Sequence, residues 1–200
     1  MRASPHPVPS MPWPGRAIWR ASWPALWLAG RVLWSLEIRR EAAPPSPPFV
    51  VAANHFSHLD PPLVGVALRQ PVTFLALDEL FGAHALLDLA LHTFGTVPVP
   101  RGKVALGALR AALGHLQAGR VVGLFPEGRR VATWGDEPAR RGAAWLAVRR
   151  EVPLVPVAVI GTHRVLGVDR SPAPRPPNAV AKSPPGPPPE MPVDGSPAPR

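Results

Sequence analysis

His55 and Asp60 stand five positions apart in Asn54-His55-Phe56-Ser57-His58-Leu59-Asp60, a spacing that can activate an alcohol. A short loop brings the carboxylate back onto the imidazole. Nδ1 then donates to the carboxylate, the tautomer is fixed, and Nε2 is left free to take a proton from a hydroxyl. Asp60 also precedes Pro61-Pro62, so it reads equally as a helix N-cap with proline at the first helical position. The two readings are compatible, and the His-Asp spacing alone is too common to decide. Three later segments add candidates. Gly95-Thr96-Val97-Pro98-Val99-Pro100-Arg101 ends on an arginine, and Phe125-Pro126-Glu127-Gly128-Arg129-Arg130 offers an acid, a glycine and two further cations. Guanidinium groups match phosphate oxygens two at a time, so these arginines suit a phosphorylated head group. Val152 to Gly161 supplies an apolar wall.

Each of these clusters follows a short run that reads as a strand. Phe49–Ala53, Val72–Leu77, Thr96–Val99, Val121–Phe125 and Leu154–Ile160 have strand character. Pro61–Leu68, Asp78–Leu91, Lys103–Gln117 and Ala139–Arg149 have helical periodicity. Strand and helix in alternation predict an α/β layered fold with a mostly parallel sheet flanked by helices. In such folds, sites collect at the carboxyl ends of the strands.

The flanks differ in character. Residues 1–15 are rich in proline and read as an extended leader. From residue 16 to 40, Trp19, Trp23, Trp27 and Trp34 fall on one narrow helical face with Arg16, Arg20 and Arg31 beside it. The uncharged stretch between Arg20 and Arg31 is too short to span a bilayer, so an amphipathic helix lying in the interface is expected. The alternative is a helix that packs its indoles on the protein's own core. Twelve of the thirty residues from Ser171 to Arg200 are proline. Such a tail buries little apolar surface and is expected to be disordered. The divisions are therefore 1–45 for leader and membrane-associating helix, 46–169 for the folded domain, and 170–200 for the tail.

Composition narrows the function classes. The net charge is +9 and there is no cysteine. A thiol nucleophile, a disulfide scaffold and cysteine-ligated zinc are excluded. The positive balance favours an anionic partner: a lipid surface, a phosphorylated substrate or nucleic acid. The core lacks the interleaved aromatic and basic residues that stack on bases, which argues against nucleic acid.

The blocks NHFSHLD, GTVPVPR, FPEGRR and VPLVPVAVIG, in this order, resemble the four motifs of the lysophosphatidic acid (1-acylglycerol-3-phosphate) acyltransferase family over about residues 46–165. Asp78-Glu79-Leu80-Phe81 and Arg141-Gly142-Ala143-Ala144 resemble family positions as well. The resemblance implies that His55 and Asp60 are the catalytic pair, that Arg101, Glu127 and Gly128 bind the glycerol phosphate, and that the fourth block shapes the acyl pocket. Asn54, Ser57 and Arg130 join the expected substrate contacts. It further implies no metal and no prosthetic group, with acyl-CoA or acyl carrier protein as donor and a lysophospholipid as acceptor. The expected place is the cytoplasmic face of the cell membrane, as a peripheral or monotopic protein on an anionic lipid surface. Two departures stand out. Arg129 occupies the position where the family usually has Thr or Ser, and the chain after the fourth block turns to proline-rich sequence. A hydrolase using Ser57 as nucleophile is the competing enzyme class, although no Gly-x-Ser-x-Gly elbow is present. A lipid-binding protein without catalysis is the non-enzymatic alternative.

Overall fold

The computed structural model describes residues 13–77, 91, 96–99, 106–167 and 180–182. Strands β1 (Glu37–Ile38), β2 (Val50–Ala53), β3 (Val72–Leu77), β4 (Val97–Val99), β5 (Val121–Leu124), β6 (Leu154–Val159) and β7 (Val180–Lys182) form one sheet in the order β1-β7-β6-β2-β5-β3-β4. Every pairing is parallel except β6 with β7. The helices are α1 (Trp13–Trp34), α2 (Asp60–Leu68), α3 (Leu106–Gln117), α4 (Gly142–Arg150) and the single-turn α5 (His163–Leu166).

The two-residue alternation along β2 builds the layers. Phe49, Val51 and Ala53 join Val64, Ala67 and Leu68 of α2 on one face of the sheet. Val50 points the other way, into a second core with Ala112 and Leu116 of α3 and Leu146 and Ala147 of α4. Both faces are covered, as a parallel sheet requires. Because β2 lies between β5 and β6, and all three run parallel, the segments after their carboxyl ends emerge side by side. That adjacency gathers the site.

Three expectations change. Helix α1 begins at Trp13, inside the stretch read as extended leader, and Pro14 is accommodated because the first turn needs no N–H there. Two indoles of the stripe, Trp19 and Trp23, form the helix's docking face, while Trp27 is 41% exposed. Trp19 is 6% exposed and Trp23 packs with it against Leu36, Leu63 and Val66. A Cβ on Gly65 would come within 2.7 Å of the Trp19 ring, so only glycine lets α1 approach α2 so closely. Ile18, Leu28 and Val32 are exposed roughly opposite that face, and Leu26 and Leu33 are exposed beside it. Third, the tail expected to stay outside the fold contributes β7, whose backbone pairs with both β6 and β1. The sheet therefore extends beyond the fourth block. The rest of the tail, the helix predicted over Asp78–Leu91 apart from residue 91, and Arg101 lie outside the described residues.

Candidate active site

The chain leaves β2 at Ala53 and turns through Asn54–Leu59 into α2. Asn54 is buried, and its amide meets the backbone of Val159 twice: Nδ2 donates to the carbonyl oxygen and Oδ1 accepts the N–H, each at 2.7 Å. The side chain thereby continues the β2–β6 ladder by one rung. Asn54, expected to contact substrate, here has its amide engaged with the sheet.

Asp60 is fully buried, yet it does not cap its helix. The cap position falls to Leu59, without a side-chain cap bond. The carboxylate turns back into the loop instead. Oδ2 accepts the N–H groups of Phe56 at 2.6 Å and Ser57 at 2.7 Å, and lies 3.0 Å from His55 Nδ1. Oδ1 accepts the Thr162 hydroxyl at 2.6 Å. A buried carboxylate is tolerable only when its lone pairs are engaged, and here backbone, imidazole and hydroxyl all serve. Ser57 is also buried, its Oγ accepting the Leu59 N–H at 3.1 Å. The hydroxyl expected to contact substrate, or to serve as a nucleophile, is thus engaged within its own turn.

The His55 side chain keeps 16% of its surface exposed. With Nδ1 facing the carboxylate, the neutral ring carries its proton there, and Nε2 is the acceptor. Among the described residues nothing hydrogen-bonds Nε2. The ring lies flat on Phe125, 3.8 Å between centroids and 12° between planes, and Phe125 stacks in turn on Phe74 at 4.9 Å. The sequence marked Phe125 only as the end of a strand. An aromatic residue immediately before Pro-Glu-Gly was the available signal for a platform under the imidazole. The His55 carbonyl oxygen accepts the N–H of Val131 at 2.8 Å, so the segment after β5 is tied to the His55–Asp60 loop.

That segment holds the remaining candidates. Gly128 closes a turn through its N–H to the Phe125 oxygen at 2.9 Å, with φ of +73° and the Arg140 guanidinium 2.9 Å from where a Cβ would stand. Any side chain there meets both backbone strain and Arg140. Glu127 has one carboxylate oxygen, Oε2, buried without a hydrogen-bond partner among the described residues. Arg129, the departure from the family pattern, is exposed and ion-paired to Glu137, so part of its charge is neutralised locally. Arg130 lies near His58. Burial first, then the charges of Arg130 and His55, hold the His58 imidazole below its ordinary range against the opposing pull of Asp60. Trp134, 62% exposed, stands edge-on to Phe56 at 5.0 Å on a turn braced by Asp136, which accepts from the Thr133 N–H and hydroxyl. Among the described residues no group of three or more His, Asp or Glu is arranged to hold a metal.

Comparison with known proteins identifies the family. The family model described as Acyltransferase matches residues 35–160. The chain is 35% identical over 121 residues to 1-acyl-sn-glycerol-3-phosphate acyltransferase alpha of Homo sapiens, covering 58% of this chain and 42% of that one. The Mus musculus protein of the same name is 31% identical over 142 residues, covering 67% and 49%. A chloroplastic 1-acyl-sn-glycerol-3-phosphate acyltransferase of Brassica napus is 29% identical over 123 residues, covering 60% and 35%. The match thus spans less than half the length of each of these relatives. The crystal structure of the 1-acyl-sn-glycerophosphate (LPA) acyltransferase PlsC from Thermotoga maritima shares the fold, with a TM-score of 0.68 at 24% identity over 84% of this chain and 68% of that one. The matched stretch contains the His55–Asp60 loop, the Phe125–Arg130 turn and nearly all of the parallel sheet that brings them together, and the chain belongs to the acyltransferase family.

Proposed function

We propose that the protein transfers a fatty acyl group from a thioester, acyl-CoA or acyl carrier protein, to the hydroxyl of a lysophospholipid. The favoured acceptor is 1-acylglycerol-3-phosphate, giving phosphatidic acid in phospholipid biosynthesis. The observation that carries this reading is the His55 ring held at Nδ1 by the buried Asp60, 3.0 Å away, with no partner at Nε2 among the described residues. His55 Nε2 takes the acceptor's hydroxyl proton as the oxygen attacks the thioester carbonyl carbon. The tetrahedral oxyanion then re-forms the carbonyl, the C–S bond breaks, and the departing sulfur receives the proton from the imidazolium. Asp60 stabilises the imidazolium without itself taking the proton. Glu127 Oε2 is placed to accept a hydroxyl of the glycerol, and Arg130, with Arg101 beyond the described residues, supplies charge for the phosphate. The departure at Arg129 bears less on the acceptor than the sequence suggested, because Glu137 already neutralises part of it.

No helix among the described residues is long and apolar enough to cross a membrane. We place the enzyme instead on the cytoplasmic face of the membrane through α1. Ile18, Leu28 and Val32 are exposed at 46%, 56% and 72%. Buried into an interface they would contribute several times the ~1.5 kcal/mol of a single aliphatic side chain. Arg20 and Arg31 lie beside them for anionic lipid.

The test is a product profile from the purified chain on vesicles. With labelled acyl donors and a panel of lysophospholipids, label should appear in phosphatidic acid. Label only in free fatty acid would establish a hydrolase in its place.

A further inference from the structure

Both ends of the catalytic loop are bonded to one short stretch of chain, the carboxyl end of β6. At the start, Asn54 engages Val159 as donor and acceptor. At the end, Asp60 Oδ1 accepts the Thr162 hydroxyl, both residues being buried. The distribution of donors over the carboxylate is uneven. His55 Nδ1 and the N–H groups of Phe56 and Ser57 all address Oδ2, and among the described residues Thr162 is the donor to Oδ1. The terminal torsion of an aspartate is broad, so donors converging on one oxygen leave the carboxylate free to tilt about it. A donor on the second oxygen removes that freedom.

Thr162 also forgoes a local alternative. It occupies the N-cap position of α5, where a threonine hydroxyl ordinarily accepts from its own helix, yet it makes no side-chain cap bond. Its carbonyl oxygen accepts the Val165 N–H at 3.0 Å, and the hydroxyl reaches across 102 residues of sequence to Asp60. Gly161, at φ of +89°, makes the turn that puts it there.

We propose that Thr162 is a positioning residue for the His55–Asp60 pair. Its hydroxyl pins Oδ1, which holds Oδ2 on the line of the His55 Nδ1–H bond and so sets the orientation of the base. The fourth sequence block then does more than wall the acyl chain: its final turn fixes the geometry of the dyad. This assignment rests on His55 acting as the base.

The test is a double-mutant cycle on the full chain, with Thr162→Val and Thr162→Ser each made alone and with Asp60→Asn. Thr162→Val should lower kcat by about tenfold to a hundredfold, the loss of one bond to a buried charge, while KM for donor and acceptor changes little. Thr162→Ser should restore most of that loss. In the Asp60→Asn background Thr162→Val should cost little more, since Thr162 acts through the carboxylate. Equal losses in both backgrounds, or an unchanged kcat in Thr162→Val, would overturn the assignment. Thr162→Ala serves the same comparison should the valine variant fail to fold. Proton NMR of the histidine-labelled chain gives an answer independent of turnover. Thr162→Val should move or broaden the His55 Nδ1–H resonance and Thr162→Ser should return it. An unmoved resonance removes the pin even if acyl transfer is demonstrated. A moved resonance in a chain that transfers no acyl group upholds the pin and removes the proposed activity.

Discussion

Two histidines sit at opposite ends of neighbouring strands, His55 after the carboxyl end of β2 and His115 before the amino end of β5, and their partners carry opposite charge. His55, at the carboxyl end of β2, faces a carboxylate through Nδ1 and keeps part of its ring open. His115, near the end of α3 just ahead of β5, is 1% exposed and takes the Arg120 guanidinium at its Nδ1, 2.9 Å away. The guanidinium can only donate, so the neutral His115 ring carries its proton on Nε2, which finds no hydrogen-bond partner among the described residues. Burial first, and the Arg120 charge second, hold its pKa down to about 4. The same side chain is thus oriented by a carboxylate in one place and held neutral by burial and a cation in the other. The sign of the neighbour and access to the ring decide the role.

The largest effect expected from this contrast is on turnover. His55→Ala should cut kcat by roughly 10²–10⁴, the usual worth of a general base, whereas His115→Gln should leave kcat near wild type at neutral pH. Matched rate losses in the two variants would dissolve the contrast. Asp60→Asn comes next and should fail on two counts. The amide places an N–H where the carboxylate accepted donors at both oxygens, so alongside a rate loss of about a hundredfold, denaturant unfolding should show a stability loss of about 3 kcal/mol. The sequence reading, with Asp60 as a helix cap that Asn could replace, expects stability to stay unchanged, and the unfolding curve separates the two.

The third effect is on stability against pH. His115 has an ordinary pKa of 6.5 when unfolded and about 4 when folded, so between these values the unfolded chain binds the extra proton. Stability from this group is therefore complete above 6.5 and lost as pH falls toward 4, by roughly 3 kcal/mol in all. Unfolding midpoints measured across that range should fall less steeply in His115→Gln than in wild type. Identical slopes would mean that His115 is not the sensor. The smallest effect is that of Arg120→Gln. Because burial outweighs the guanidinium, removing the charge should raise the pH of this loss only part of the way toward 6.5, and a full return would reverse the ranking of causes.

The parallel sheet was legible because both its faces are covered. β2, β3 and β5 read as short apolar runs between turn signals, and the described strands begin and end within one residue of those runs. His55 and Asp60 were legible because spacing within one loop already limits their distance. The single-turn α5 and the strands β1 and β7 escaped notice for lack of length. Two or three residues carry no periodicity, and their pairing depends on neighbours far along the chain. The tryptophan stripe was found, but its direction was not. An amphipathic pattern marks an apolar face without saying whether protein or lipid covers it, and Gly65 beneath Trp19 settles that only in three dimensions.

By itself, the amino-acid sequence determined the alternation of strand and helix, the order of the four blocks and the identity of the His-Asp pair, since each is a matter of local spacing and side-chain chemistry. The tertiary structure alone decided what each polar group faces. It put β2 between β5 and β6, laid Phe125 under the imidazole, gave Asn54 to Val159 and Thr162 to Asp60, and surrounded His115 with apolar core and a cation. The physical reason is that hydrogen bonding and desolvation act over a few ångströms, whereas the groups that exert them here lie as many as 105 residues apart along the chain.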